Sequence, residues 1–349
     1  MNDKTNGENA ASYDLAVIGA ASAGFSAAIT AADEGAQVAL IGHGTIGGTC
    51  VNVGCVPSKA LIRVAETVHI AQKSSRFDGI TASARVTSWQ AVVRQKQSLV
   101  DDLRKAKYSD LLPSYNSVAY LEGKAAFSDD GNLAIDGKPL KAGKIIIATG
   151  TRPALPSISG IEDVPYLTST TALELETLPA SMIIIGAGYI GAEISQIFAR
   201  VGVRVTLVSR RGLLPEAEPE IGEALTGYFE DEGITVVSGI SYERIESRGE
   251  TINLHVNGMN GPEVIEAEKV MIASGRTPNT DELNLAAAGI ETLANAGVKI
   301  DAQMRTTREG VYAAGDVTGN DQFVYMAAYG AKIAAKNAMN SNSLSYDNT

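Results

Sequence analysis

Short apolar runs alternate along the chain with glycine-containing turns and with stretches whose apolar residues recur at helical spacing. The run Tyr13 to Ile18 passes through a glycine turn into an alanine-rich helical stretch that ends near Glu34, and a second strand follows from Gln37 to Ile41. The same order begins again at Met182 and reaches a strand from Arg204 to Val208. This order of strand, turn, helix and strand predicts two βαβ units, the building block of α/β proteins.

The segments outside these units predict further helices and short strands. From Lys59 to Tyr115 the pattern is helical twice, with a break around Ser74 to Ser88. Short strands are predicted over Val118 to Phe127 and around Leu133 to Ile135. A last helix is predicted from about Val324 to Met339.

Both turns carry glycines at the spacing of a dinucleotide-binding loop. The first keeps the outer glycines, Gly19 and Gly24, but has Ala21 in the middle, whereas the second is a complete G-x-G-x-x-G made by Gly186, Gly188 and Gly191. Such a turn brings backbone and a helix N-terminus to a pyrophosphate. The chain is therefore predicted to be an α/β protein with two Rossmann-like dinucleotide-binding domains.

The residues that end the second strand of each unit are unusual. An acid is expected there to bind ribose hydroxyls, but Gly42 holds the place in the first unit, and Ser209 followed by Arg210 and Arg211 holds it in the second. Arginine pairs with the 2′-phosphate of NADPH, whereas a carboxylate would repel it, so this sequence favours NADPH over NADH. The alternative is that the arginines merely form a solvated strand end. In the first unit either neighbouring groups bind the ribose or affinity is lower, and Gly42→Glu is expected to tighten cofactor binding.

A second pair of similar segments closes each predicted domain. Lys144 to Pro153 reads KIIIATGTRP, and Lys269 to Pro278 reads KVMIASGRTP. The similarity indicates an internal repeat, and the prolines end the strand and begin a linker. The predicted organisation is a flexible tail over 1–12, a first domain built from 13–155 and 278–349, and a second domain over 156–277.

Composition narrows the class of partner. The net charge of −11 over 349 residues, without a cluster of basic residues, argues against nucleic acid or an anionic membrane surface. No apolar run approaches the ~20 residues that a membrane span needs. The first twelve residues lack the apolar core of a signal peptide, so a cytoplasmic protein is predicted.

Both cysteines lie in one stretch, Gly47 to Lys59, which reads GGTCVNVGCVPSK. Pro57 suits a first helical turn, and the residues after it recur at helical spacing, so Cys50 and Cys55 are predicted near a helix N-terminus. The partial positive charge there favours thiolate over thiol, and Lys59 adds to it, which predicts a redox-active pair. The alternative is a structural disulfide or two inert thiols, although nothing in the sequence indicates export.

The stretch GGTCVNVGCVPSK resembles the redox-active disulfide motif of the flavin-dependent pyridine nucleotide disulfide oxidoreductases, and the likeness covers nearly the whole chain from Tyr13. The resemblance implies a glutathione-reductase-like fold with FAD in the first domain and a pyridine nucleotide in the second. It also implies that Cys55 is the thiolate facing the flavin and Cys50 the outer, exchanging thiol. Lys59 would then lie near the flavin ring, paired with Glu193, although an acid at Glu193 also fits an ordinary first helical turn.

Other matches to the family concern cofactor contacts. Val311 to Asp316 resembles the second FAD fingerprint, whose aspartate binds the ribityl chain, and Gln322 to Tyr325 resembles a helix start under the flavin ring. Tyr189 matches an aromatic residue that covers the flavin in some relatives. The residues expected to contact FAD or NADPH are Gly19, Gly24, Gly44, Thr49, Lys59, Ala125, Thr149, Gly150, Gly186, Gly188, Tyr189, Gly191, Arg210, Arg211, Gly275, Asp316 and Val324.

The resemblance implies that electrons pass from NADPH through FAD to the Cys50–Cys55 pair. The motif is especially similar to that of the mercury-reducing branch of the family, and thiolates are the natural ligands of the soft cation Hg(II). Reduction of Hg(II), bound transiently by Cys50 and Cys55, is therefore the first expectation. Dihydrolipoamide dehydrogenase or glutathione reductase chemistry stays open, as does a truncated flavin-binding or metal-thiolate sequestering protein.

Members of the family continue past the segment that matches Gly315-Asp316 into an interface domain, which forms the homodimer and lends residues to the partner's active site. This chain, which ends at Thr349, is expected to lack that domain. His43, His69 and His255 match no catalytic histidine of the family, and the sequence has no second cysteine pair. A monomeric or weakly associated chain with reduced Hg(II) turnover is therefore expected.

Overall fold

Two five-stranded parallel sheets form the framework of the computed structural model, which describes residues 12–259, 261–340 and 343–348. The predicted flexible tail lies outside the described residues, except for Ser12, which begins the first strand. Within those residues the strands are β1 (Ser12–Ile18), β2 (Val38–Gly42), β3 (Val118–Glu122), β4 (Ala125–Phe127), β5 (Leu133–Ile135), β6 (Lys138–Pro139), β7 (Lys141–Ile147), β8 (Thr151–Pro153), β9 (Tyr166–Thr168), β10 (Ser181–Ile185), β11 (Arg204–Val208), β12 (Thr235–Val237), β13 (Ser241–Arg248), β14 (Thr251–Gly258), β15 (Gly261–Ala267), β16 (Lys269–Ile272), β17 (Arg276–Pro278) and β18 (Val311–Ala313).

The predicted helices form where the sequence pattern places them. The last helix begins at Val324 and ends at Met339, and the predicted break around Ser74 to Ser88 separates two long helices. In the described part of the chain the α-helices are α1 (Ser22–Asp33), α2 (Gly48–Val53), α3 (Cys55–Gln72), α4 (Trp89–Arg104), α5 (Ser169–Ala172), α6 (Tyr189–Arg200), α7 (Pro219–Asp231) and α8 (Val324–Met339). Single turns of 3₁₀ or π form lie at Ser74–Arg76, Lys105–Ser109, Leu112–Ser114, Ile161–Asp163 and Asp316–Thr318.

The chain divides into two compact units. The first comprises the described parts of 1–50, 103–152 and 277–349, and the second comprises those of 51–102 and 153–276. The divisions after residues 152 and 276 lie close to the predicted domain limits. Residues 51–102, which the sequence assigned to the first domain, group with the second unit because Leu61 and Trp89 pack into its core.

The first unit is built around the parallel sheet β18-β7-β1-β2-β3. Its central strand is β1, where Ala16 is aligned with Ala39 on one side and Ile145 on the other. Both faces of the sheet are covered, which explains why β1 and β2 read as continuous apolar runs. Helices α1 and α8 pack together through their alanines, and the Ser26 hydroxyl of α1 donates a hydrogen bond to the Ala328 carbonyl of α8 at 2.7 Å.

The second unit repeats this plan in the sheet β12-β11-β10-β16-β9, with β10 at the centre. Alternate residues of β10 enter two cores: Met182 and Ile184 pack against α6, whereas Ile183 and Ile185 pack against the antiparallel sheet β13-β14-β15. Four strands keep the same order in the two units, since β3-β2-β1-β7 corresponds to β12-β11-β10-β16. The fifth strand differs, because β18 follows the other strands of its sheet in the chain, whereas β9 precedes them. The internal repeat predicted from the sequence is therefore confirmed.

A half-buried polar cluster brings together α3, α6 and the end of α7 in the second unit. Arg200 donates two hydrogen bonds to the Glu232 carboxylate at 2.7 and 2.6 Å, Gln196 donates to the same group at 3.1 Å, and His69 lies 3.9 Å from it. Burial alone would raise the pKa of Glu232, but the hydrogen bonds and charge of Arg200 hold that pKa below its usual value. Burial lowers the pKa of His69, so this side chain is neutral near pH 7. The charged pair therefore joins the end of α6 to the end of α7, and α3 reaches it only through the neutral His69.

Arg200→Ala is expected to destabilise the chain by about 1.5–3 kcal/mol at pH 7, because it removes the charge-assisted hydrogen bonds of the half-buried Glu232 carboxylate. Since the pKa of Glu232 is lowered in the folded protein, this difference is present above the ordinary carboxyl pKa and is lost as pH falls through the lower, folded value. Thermal unfolding followed by circular dichroism at several pH values measures it. Arg63→Ala, which removes an exposed ion pair from α3, should cost less than about 1 kcal/mol, and equal losses in the two variants would contradict this account.

Candidate functional site

The first glycine turn brings the start of α1 close to the end of β7. Gly19 has φ +119°, and a Cβ added to it would overlap the carbonyl oxygen of Ala148. A Cβ on Gly24 would overlap the carbonyl oxygen of Gly19, so α1 can pack this closely on β1 only without side chains there. No side chain caps α1, whose first turn leaves backbone N–H groups facing the turn. These N–H groups are the donors that a pyrophosphate requires.

A cleft of about 420 Å³ lies beside this turn within the first unit. It is lined by four of the residues predicted to bind cofactor, Gly19, Gly44, Ala125 and Thr149. The Thr149 hydroxyl donates to the Asn279 carbonyl at 2.8 Å, and the Asn279 amide donates back to the Thr149 carbonyl at 2.9 Å. These mutual hydrogen bonds hold the end of β7 in place at the cleft.

Sequence reasoning missed several residues of this cleft. Arg152 lines it and forms two hydrogen bonds with the Asp281 carboxylate, at 2.9 and 3.2 Å. Tyr120 and Lys124 also line it. These residues come from segments far apart in sequence and carry no motif, so pattern alone could not have found them.

The place where an acid was expected, Gly42, is occupied by a neighbouring side chain. A Cβ built on Gly42 would overlap the hydroxyl oxygen of Tyr120 and would lie 2.8 Å from its Cε2 and 2.9 Å from Cβ of Ala20. A glutamate at this position must displace the Tyr120 ring before it can reach the cleft. The expectation that Gly42→Glu simply adds a missing ligand is therefore wrong, because the space is already filled.

The cysteine loop begins against the first glycine turn. Gly47 donates its backbone N–H to the Ala20 carbonyl at 2.8 Å, and a Cβ on Gly48 would overlap Cβ of Ala21. These contacts explain the paired glycines of the motif. Cys50 is then the third residue of α2 and half-buried, whereas Cys55 is exposed and is the first residue of α3. The prediction of one shared helix N-terminus is corrected by the structure, which uses two successive helices.

The predicted ion pair between α3 and α6 is confirmed in the second unit. Lys59 Nζ lies 2.5 Å from Glu193 Oε1, and the Ser58 hydroxyl lies 3.5 Å from Glu193 Oε2. The Lys59 side chain is 59% exposed and that of Glu193 37% exposed, so the pair is accessible to a ligand. Glu193 therefore orients the second turn of α3, while its catalytic role stays a prediction.

The second glycine turn repeats the first almost atom for atom. Gly186 has φ +114°, and a Cβ there would overlap the Ala273 carbonyl oxygen. A Cβ on Gly191 would overlap the carbonyl oxygen of Gly186. Gly188 differs, because a Cβ there meets nothing within 4 Å. The empty space beside Gly188 fits a position that a ligand approaches. Tyr189, at the start of α6, is 55% exposed and is therefore also accessible to a ligand.

The arginines after β11 are exposed, and Ser209 before them is buried. Arg211 forms an ion pair with Glu216 at 2.6 Å. Arg210 lies close enough to Tyr242 for its charge to affect the pKa of that phenol, which burial raises to about 12. A phosphate at this site would therefore compete with Glu216 for Arg211.

The remaining predicted residues fall at the ends of elements. In the first unit, the Thr151 hydroxyl donates to Asp316 at 3.1 Å and so fixes the aspartate of the second fingerprint. Gly150 has φ +69°, Thr49 is exposed in α2, and Val324 is the partly exposed first residue of α8. In the second unit, Gly275 follows β16 with φ +120°. Among the described residues no helix is both long and apolar enough to span a membrane.

Two βαβ units with glycine turns, together with two cysteines at the starts of successive helices, are features typical of nucleotide-dependent oxidoreductases. A family model described as pyridine nucleotide-disulphide oxidoreductase matches residues 13–335, and the chain belongs to this family. The family uses FAD together with a reduced pyridine nucleotide. The first cleft fits the dinucleotide cofactor in its glycine turn and its uncapped helix, and departs from the usual pattern at Ala21 and Gly42.

Several relatives are mercuric reductases. The chain is 45% identical over 332 residues to that of Lysinibacillus sphaericus, covering 95% of this chain and 60% of that protein, and 41% identical to that of Staphylococcus aureus, covering 94% and 60%. The mercuric reductase of Streptomyces lividans is 42% identical, with 97% of this chain and 72% of that protein covered. The chain thus spans less than two thirds of the length of the first two.

A solved structure shows the same fold. The HOCl-induced flavoprotein disulfide reductase RclA from Escherichia coli, as its Cu(II) complex, is 28% identical with a TM-score of 0.85, covering 97% of this chain and 74% of that one. The likeness supports the assignment of the chain to flavoprotein disulfide reductases.

Two alanine substitutions test the second glycine turn. Gly188→Ala should change stability by less than about 0.5 kcal/mol, because the added methyl meets no protein atom. It should nevertheless weaken NADPH binding at least about tenfold if the phosphate bonds to this backbone. Gly191→Ala should cost about 1–3 kcal/mol of stability, because the methyl meets backbone. Thermal unfolding and nucleotide titration separate the effects, and normal NADPH binding by Gly188→Ala would exclude a ligand at that position.

Proposed function

We propose that this chain carries the nucleotide-binding and dithiol parts of a cytoplasmic mercury(II) reductase. The observation that carries the proposal is the cysteine loop, in which Cys50 and Cys55 each lie in the first turn of a helix. It is supported by 38–45% identity, over more than nine tenths of the chain, to mercuric reductases. Thiolates and a reduced nucleotide both require a reducing compartment, which supports a cytoplasmic location.

The residues of the first unit suit FAD. The turn from Gly19 and the uncapped start of α1 would receive its pyrophosphate, and Thr149 and Asp316, each held by a hydrogen bond, would receive its polar groups. When bound, FAD would supply two-electron transfer from a reduced nicotinamide to a disulfide or to a metal ion held by the thiolates. The second unit would hold NADPH through Gly186, Gly188 and the arginines that follow β11.

The cysteine pair would bind the substrate. Two thiolates, with four residues between them in the chain, would form two Hg–S bonds with Hg(II), which prefers soft ligands. The overall reaction is Hg(II) + NADPH → Hg(0) + NADP⁺ + H⁺: NADPH loses two electrons and a proton, Hg(II) gains the two electrons, and both Hg–S bonds break. Hg(0) has no charge to attract thiolates and leaves. The cysteines end the cycle in the form in which they began it.

The Lys59–Glu193 pair would assist this chemistry by position. Glu193 holds Lys59 at 2.5 Å in the second turn of α3, the helix that begins at Cys55. A cation there favours the thiolate form of Cys55, which is the form that binds metal. The pair is therefore proposed to keep the thiol reactive and the helix correctly oriented.

A disulfide is the second candidate substrate, because the solved structure with the same fold is called a flavoprotein disulfide reductase. The cysteine pair could exchange with a substrate disulfide, with NADPH supplying two electrons and the product leaving as two thiols. NADPH oxidation measured with Hg(II), oxidised glutathione or lipoamide as the acceptor distinguishes the two. Turnover with a disulfide and none with Hg(II) would reject the mercury assignment.

Cys50→Ser and Cys55→Ser are each expected to reduce Hg(II)-dependent NADPH oxidation to the rate without metal, because one thiolate cannot supply two ligands. Both variants should keep the flavin absorption bands and the melting temperature of the parent chain, since neither cysteine packs in a core. Equilibrium dialysis with Hg(II) provides a readout independent of turnover. Normal turnover by either variant would show that the pair is not the metal site.

The arginines after β11 are proposed to select NADPH. Arg210→Ala combined with Arg211→Ala is expected to raise the KM for NADPH at least about tenfold relative to that for NADH, since a charge-assisted bond contributes on the order of 1.5–3 kcal/mol. Glu216→Gln, which frees Arg211 from its carboxylate partner, should instead increase the preference by up to about fivefold. Glu220→Gln, an exposed glutamate of α7, is the matched control. An unchanged ratio of the two KM values in the double variant would remove the arginines from the site.

A further inference from the structure

The end of β2 in the first unit lacks a side chain, and a tyrosine from the next strand fills its place. Leu40 is aligned with Tyr120, and Gly42 with Glu122, in the parallel pair β2–β3. Alternate residues share a face of a sheet, so Tyr120 lies diagonally across from Gly42 on the same face. A Cβ built on residue 42 would overlap the Tyr120 hydroxyl oxygen. A polar atom therefore stands where the carboxylate-bearing side chain would begin.

Tyr120 is placed to face a ligand. It lines the cleft together with Gly19 and Gly44 and is half-buried. Among the residues that the structure describes, its hydroxyl makes no hydrogen bond to the protein. Burial, with a smaller contribution from the charge of Glu122, raises the pKa of this phenol, so the group stays protonated and can both donate and accept.

We propose that Tyr120 replaces the missing acid at the end of β2 and that its phenol hydroxyl binds the ribose of the adenosine half of the dinucleotide in the first cleft. The inference rests on the proposed assignment of FAD to this cleft. The end of the second strand is where such folds bind ribose hydroxyls. This proposal also explains why residue 42 is a glycine, because any side chain there would displace the Tyr120 ring.

The alternative groups near this position are less suited. Glu122 is exposed and is not among the cleft residues. His43 follows Gly42 and lines the cleft, but it is exposed beyond the end of the strand. Tyr120 is the residue whose polar atom coincides with the absent side chain.

The primary test compares Tyr120→Phe with the parent chain in titrations of the flavin-free protein, using quenching of flavin fluorescence. FAD should bind about three- to tenfold more weakly, the effect of losing one neutral hydrogen bond. FMN lacks the adenosine half, so its dissociation constant should not change. Tyr115→Phe makes the same chemical change at a half-buried tyrosine of the first unit outside the cleft and should alter neither.

Two outcomes would overturn the proposal while leaving FAD binding itself established. One is unchanged FAD affinity in Tyr120→Phe, and the other is equal weakening of FAD and FMN, which would indicate a packing role only. Selective loss of FAD affinity in Glu122→Gln, without loss in Tyr120→Phe, would assign the ribose to the carboxylate instead. Failure of the parent chain to bind FAD at all would overturn the proposed function together with this inference.

A second set of variants tests whether Tyr120 and a side chain at position 42 compete for the same space. Gly42→Glu alone should weaken FAD binding, because its side chain must displace the Tyr120 ring. In a Tyr120→Ala background the same glutamate has room, so the double variant should bind FAD at least about threefold more tightly than Tyr120→Ala alone. If Gly42→Glu tightens FAD binding equally in both backgrounds, the tyrosine does not occupy the acid's place and the inference is wrong.

Discussion

In each unit the glycine turn after the central strand brings backbones so close together that no side chain fits between them. Gly19 lies against the carbonyl of Ala148, and Gly186 lies against that of Ala273. The glycine at the start of the following helix then lies against the carbonyl of the first glycine. Because these contacts join the central strand, its helix and the returning strand at one point, they set where each helix N-terminus faces. The cleft and the cofactor donors both depend on that position.

The cysteine loop uses the same constraint. Gly47 and Gly48 bind and pack against the first glycine turn, so the segment that carries Cys50 starts from a fixed place. On the other side of the motif, the start of α3 is held against α6 by the Lys59–Glu193 pair, whereas the Arg200–Glu232 pair joins the end of α6 to the end of α7. The exposed pair contributes little to stability by itself, whereas the half-buried pair costs more to break. Different contacts therefore position the start of α3 and stabilise the second unit.

Much of this could be predicted from sequence because the signals are local. Periods of apolar residues located the strands and helices, glycine spacing located both nucleotide turns, and the echo of KIIIATGTRP in KVMIASGRTP indicated the repeat. The thirteen-residue cysteine motif led to the family that the comparisons then showed. Even the contact between Lys59 and Glu193 followed from the resemblance, although the residues lie far apart in the chain.

What only the tertiary structure decided is how side chains from distant strands share space. Gly42 looked like a gap in sequence, yet Tyr120 from β3 fills it, because parallel neighbours place residues of distant segments on one face. Likewise the hydrogen bonds of Arg152 to Asp281 and the ion pair of Arg211 with Glu216 carry no motif. The sequence by itself determined the elements, the two turns and the reactive cysteines, since each depends on neighbours in the chain. Packing decided which side chains line the cleft, since its polar groups come from strands and loops that are distant in the sequence.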